Sequence, residues 1–432
     1  MGEQNKKRNI YIDIMKGLLI TLVVIGHLPY FEYDSRTLTL IYSFHMHAFL
    51  IIGGMLSHIN ENTKLSTILY KRIKGMLIPY FIFYLITFII VPTTTEQKLN
   101  AIPVVIKGIG IPPDHALNLP LWFLTFYFVA MTVFEILQYF SYKIAKIITN
   151  ATASSDLLKA KCRMGELCEP SHRTGELREP LTLLITFIFI SIIMRASFIY
   201  ARIYKLPRLP YNIEIAGFCL GFVFLGNICG KLYNLSQIKS VNSNPIHTFK
   251  NCKSIVLKIS IAVISIFILI MIAKTWYEYS MWNGRIDLNA RDYKNAFYMY
   301  VDAILGFIVF AVFAYMISIF PPKKMVKSIN SIASSVNNTL LYILDFPKNL
   351  FSYLGRNSLY ILAFHVPSVF YTNAFIMPFM PRIIRETLSH NSIISIIILT
   401  TLGIVFSLIC SIILKKIHNF ISHKLTISAN YK

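Results

Sequence analysis

The segment "DIMKGLLITLVVIGH", residues 13–27, sets an Asp, a Lys and a His into an otherwise apolar run. An imidazole can move protons near neutral pH, an ammonium holds anions, and a carboxylate can orient either. An Asp or Lys at the centre of a membrane helix costs roughly 2.5–3.5 kcal/mol, so these residues call for a reason. On a helix, Lys16 and His27 lie about 20° from a common face and about 16 Å apart along the axis. Asp13 falls within about 60° of Lys16 and could pair with it at i, i+3; it lies about 21 Å from His27 and cannot reach it. Such a stripe belongs in a protein interior or an aqueous cavity. A Lys16 that snorkels to the interface and a His27 that only packs are the plainer alternative.

The next apolar run, "SFHMHAFLIIGGM", brings His45 to a depth matching His27, with His47 on another face and Gly53 and Gly54 permitting close helix approach. Arg195, Glu214 and Asp302 fall at the same outer level, where either carboxylate could orient a histidine or raise its basicity. Glu135 and His365 read as deeper or nearer the inner side. For these five, a polar link between helices is the ordinary alternative. "YKRIKGMLIPY" carries Lys71, Arg72 and Lys74 to the surface beside Lys16, where they could anchor a helix or hold phosphates. The stretch 275–296, expected to be an outer loop, contains Trp276 and Trp282, suited to stacking on sugars and equally to anchoring at a membrane interface.

These residues need helices to hold them. Of 432 residues, 55% are hydrophobic and only 14% charged, with a mean hydropathy of +0.57; soluble domains carry nearer a quarter charged residues. The chain reads as an all-α polytopic membrane protein, a single domain of about ten spans, near 10–30, 38–58, 76–92, 119–140, 181–200, 213–231, 255–273, 297–320, 357–377 and 392–414. Most of the 42 Lys and Arg then fall on one side, which explains the net charge of +22 without nucleic acid and puts both termini in the cytoplasm. The start "MGEQNKKRN" lacks the features of a cleaved signal or a myristoylation site. Polar cytoplasmic loops are expected near 141–180, which holds the near repeat "GELCEP" and "GELREP", near 232–253 and near 321–356. The last contains an amphipathic stretch suited to the membrane surface. None of the six cysteines falls in an outer loop, and their spacing suggests no metal site.

In order along the chain, "RNIYIDIMKGLLITLVVIGH", "FHMHAFLIIGGM", "KRIKGMLIPY", "LPLWFLTFYFVAM", "LPYNIEIAGFCLGFVFLGN" and "YLGRNSLYILAFHVP" resemble the acyltransferase-3 family of integral membrane acyltransferases, particularly its fucose 4-O-acetylase-like branch. Two positions depart from the common pattern. Lys16 stands where the family commonly has Arg, so any contact there is a point charge, not a two-pronged one. His47 stands where the family commonly has Pro.

The resemblance implies transfer of an acyl group, usually acetyl from acetyl-CoA, to a hydroxyl of a cell-surface glycan or its lipid-linked precursor at the bacterial cytoplasmic membrane. On that reading Lys16, Asp13, Arg72, Lys71 and Lys74 attend the coenzyme, without any metal. His27 acts as general base or acyl carrier, helped by His45 and by Glu214 or Asp302. Trp276, Trp282, Arg195 and Trp122 meet the acceptor. A transporter or flippase for lipid-linked sugars is the rival, since it too would have many spans and buried charges; no internal repetition of spans favours it. A receptor or scaffold without chemistry is a third possibility.

Overall fold

The computed structural model describes residues 8–28, 35–59, 62–110, 117–153, 170–203, 206–242, 255–320, 334–371 and 393–430. Cys162, Cys168, Cys252 and the first of the two "GEL" repeats lie outside them. The described residues form helices almost throughout. In order these are α1 (Ile10–Gly26), α2 (Arg36–Met55), α3 (Leu65–Ile90, with a π turn at Ile73–Leu77), α4 (Thr95–Lys107), α5 (Trp122–Ala153) and α6 (Pro170–Phe198). There follow α7 (Ile213–Phe218), α8 (Leu220–Asn242), α9 (Ile255–Asn283), α10 (Ala296–Ile319), α11 (Ser334–Arg356), α12 (Ser358–Tyr371) and α13 (Ile393–Asn430).

Seven described helices are long and apolar enough to cross a membrane, and the α7–α8 pair, bent by 62° at Cys219, makes an eighth. The two remaining expected spans are the shorter α1, of 17 residues, and α12, of 14. Large apolar side chains are exposed along α6, α9 and α13, as lipid-facing helices require. The segments 141–153, 170–180 and 232–242, expected as loop, are helical and extend helices that begin or end in apolar stretches. The amphipathic stretch expected within 321–356 lies in a helix of its own, α11.

Glycines set how closely the central helices approach. A Cβ on Gly17 would strike the Phe351 carbonyl, and one on Gly355 the Asp13 carbonyl, so α1 and α11 cross backbone to backbone. Gly54, Gly226 and Gly230 bring α2 against α8 in the same way. Without a hydrophobic force between helices in lipid, such close van der Waals contact is what holds a bundle together. At the start of α5, Asn118 pins the Leu119–Trp122 turn: its amide donates to the Thr87 hydroxyl (3.1 Å) and the Ala363 carbonyl (2.8 Å).

Candidate active site

A cavity of about 280 Å³ runs inside the bundle beside α1, lined by Lys16, Ile20, Val23 and His27 from that helix. Tyr42, His45, Met46 and Phe49 of α2 form a second wall, Leu119, Pro120 and Trp122–Leu124 a third, and Ser358 and Leu362 of α12 a fourth. Gly75 and Met76, in the π turn of α3, line it as well; the loop after α9 contributes Arg285–Asn289. The middle is apolar, and ionisable groups gather toward two ends.

At the histidine end the rings are held by backbone. Nδ1 of His27 lies 2.8 Å from the Val23 carbonyl and Nδ1 of His45 lies 2.6 Å from the Ile41 carbonyl. A carbonyl oxygen only accepts, so each Nδ1 carries a hydrogen, and in the neutral ring Nε2 is then the nitrogen with the free lone pair. The backbone bonds hold both rings in fixed orientation. His45 stands edge-on to Tyr42 at 5.0 Å, and the Arg285 guanidinium lies over the Tyr42 ring at 4.1 Å. His47 turns away and packs on Phe222.

His365 is also at this end, its ring centroid 5.0 Å from that of His27 and nearly perpendicular to it. Its Nδ1 bonds the Ile361 and Leu362 carbonyls, and its buried Nε2 has no hydrogen-bond partner among the described residues. The sequence placed it deeper. The difference has a geometric origin: Gly355 meets α1 at Asp13, so α12 begins partway along α1 and a residue in the middle of α12 reaches the level of His27.

At the lysine end two expected roles change. Asp13 does not pair with Lys16; it accepts from Arg8 at 2.6 and 3.1 Å. Among the described residues no carboxylate contacts Lys16. Arg72 is buried in a two-pronged ion pair with Glu135, one arm measuring 2.8 Å, and Ser57 donates to the same carboxylate at 3.0 Å. That guanidinium ties α3 to α5 and does not line the cavity. Lys71 and Lys74 are exposed, Lys74 beside Tyr70, and neither lines it.

The two carboxylates proposed to help a histidine are engaged elsewhere. Glu214 is ion-paired with Arg291, at 3.0 Å through Nε, and accepts from the Leu209 amide. Arg291 also donates to the Leu206 carbonyl at 2.7 Å and holds a left-handed backbone, φ 58°. Arg208 adds a bond to the Asn289 carbonyl. Beside them burial pushes the Tyr293 hydroxyl well above its ordinary pKa. Glu214 therefore clamps the 285–294 loop whose first residues wall the cavity. Asp302 is buried against Ser280 (3.4 Å) and Asn283 (3.5 Å), joining α10 to the end of α9.

Of the four residues assigned to the acceptor, Trp122 lines the cavity. Trp276 is helical, its indole donating to Ser43 at 3.0 Å and packing on Phe44. Trp282 is 74% exposed beside Tyr279 and Tyr298, and Arg195 is exposed on α6. What the 275–296 stretch brings to the cavity is Arg285, Asp287 and Asn289 instead of its tryptophans. The polar spacing of "NGRIDLN" was the available signal.

The architecture is that of a multi-pass helical membrane protein with a polar-ended internal cavity. The acyltransferase-3 family model, described as an acyltransferase domain, matches residues 9–416, and the chain belongs to that family. It is a membrane acyltransferase. Neither the search of curated proteins nor that of solved structures returned a match. Among the described residues no group of His, Cys, Asp or Glu could hold a metal ion.

Proposed function

We propose that this acyltransferase moves an acetyl group from acetyl-CoA to a hydroxyl of a cell-surface glycan or its lipid-linked precursor, at the bacterial cytoplasmic membrane. The observation that carries the reading is that Lys16 and His27 line one cavity, with apolar walls between. An anionic nucleotide suits the lysine end, which then faces the cytoplasm, and a thin pantetheine arm suits the apolar middle. The thioester carbonyl would come to rest near His27.

Nε2 of His27 takes the proton of the acceptor hydroxyl as its oxygen attacks the thioester carbon. The C–S bond then breaks, and the departing thiolate recovers the proton from the imidazolium. Arg285 is suited to stabilise the negative oxygen that develops between these events, and Asp287 and Asn289 to accept and donate hydrogen bonds to a sugar. His365, whose ring lies 5.0 Å from that of His27, is suited to help by holding that imidazole in position.

The test is transfer of label from acetyl-CoA to glycan in membranes containing the protein. Label is expected with the wild type and absent with a folded His27→Ala variant. Full transfer by that variant would overturn the assignment of the base; translocation of glycan without labelling would favour the flippase.

A further inference from the structure

The π turn of α3 interrupts that helix where it meets the cavity, and its cause is local. Pro79 has no N–H, and its ring crowds the carbonyl four residues back, which is that of Gly75. The chain answers with a wider turn, in which the Ile78 amide bonds the Ile73 carbonyl five residues back. We propose that this turn is the doorway by which the acyl donor enters, and that Gly75 keeps it open to a pantetheine arm. The inference rests on the acyl-CoA reading above and adds the donor's route.

Three observations carry it. The first is open space. Gly75 lines the cavity and is also exposed, and a Cβ built on it meets no atom within 4 Å. At the other end the chamber is walled by the 285–294 loop that Arg291 and Glu214 hold.

The second is level. Asn118 ties Thr87 of α3 to Ala363, close in the chain to His365. Gly75 precedes Thr87 on the same helix by about 18 Å of rise, toward the lysine end. The 26 residues of α3 rise about 39 Å, more than the roughly 30 Å of hydrocarbon in a bilayer. Its exposed Lys71 and Lys74 therefore put the turn at the membrane surface, not among acyl chains.

The third is length. About 14 bonds separate the acyl carbon of an acyl-CoA from its first phosphorus, roughly 16 Å at the rise of an extended chain. Lys16 and His27 are also about 16 Å apart along α1. Ser358 lines the cavity at the level of Lys16, because Gly355 meets α1 at Asp13 and both helices continue the same way. An arm entering at Gly75 thus brings its thioester to His27 while its phosphates stop at the mouth, beside an ammonium and a hydroxyl suited to an anion.

The experiment measures CoA binding to the purified full-length protein by an isotherm, with thermal melting to confirm that each variant is folded. Gly75→Trp fills the open space and should weaken binding about tenfold or more. Leu85→Trp, on an exposed face of the same helix outside the cavity, should not. In Gly75→Cys, maleimide labelling of the new thiol, located by peptide mass spectrometry, should be blocked by saturating CoA. Labelling of Glu96→Cys, exposed on α4, should be unaffected. Should Gly75→Trp not fold, the cysteine labelling decides. Wild-type affinity in a folded Gly75→Trp, or labelling of Gly75→Cys that CoA does not slow, would overturn the doorway and leave the acyl-donor reading standing. Absence of CoA binding by the wild type would remove that reading, and the doorway with it.

Discussion

The two ends of the central cavity are built on opposite plans. At the histidine end, ring nitrogens are fixed by carbonyls of their own helices, a guanidinium rests on a tyrosine face, and the neighbouring loop is clamped by the Arg291–Glu214 pair. At the lysine end one ammonium faces the cavity beside Gly75, whose surroundings are open. Geometry dominates the first and charge the second. A bond-making step tolerates little misplacement, while a flexible polyphosphate needs mainly a counter-charge.

That contrast can be broken. The largest effect is expected from His27→Ala: turnover should fall by about 10²–10⁴-fold with acyl-CoA binding retained, read from steady-state rates and a binding isotherm. Parallel loss of binding would mean that the ends are not separable. Next comes Glu214→Gln. Leaving Arg291 uncompensated should destabilise the protein by about 3–5 kcal/mol, lower the melting temperature and raise KM for the acceptor while sparing KM for acyl-CoA.

Lys16→Gln should raise KM for acyl-CoA about tenfold, with kcat nearly unchanged and much of the loss recovered in Lys16→Arg, because a point charge is what the site supplies. A kcat defect of equal size would place Lys16 in the chemistry. Smallest is the double change Lys71→Gln with Lys74→Gln. Exposed charges are screened, so both kinetic constants should stay within about twofold of wild type; a larger rise in KM would extend the lysine end outward to α3.

What the sequence could reveal follows from the range of each interaction. Membrane-crossing helices are a local property of composition, and the expected spans all correspond to helices or to the bent pair. The shared face of Lys16 and His27 is local too, since both lie on one straight helix. His45 joined them by matched depth on the adjoining segment. The contacts it did not foresee involve partners remote in sequence or just past a helix end. Arg8 took Asp13 from outside α1, Glu135 took Arg72 across 63 positions, and Arg291 took Glu214 across 77. His365 reached His27 only because α11 crosses α1 partway along its length, a tertiary fact that no periodicity encodes.

The brevity of α1 has a consequence of its own. Its 17 residues span about 26 Å, less than the roughly 30 Å of hydrocarbon in an average bilayer. Most of those residues are buried among other helices, so α1 meets protein and the cavity instead of lipid, and its ends can rest below the headgroup planes without straining the bilayer. The long helices at the periphery, α6, α9 and α13, are the ones that must match the hydrocarbon thickness.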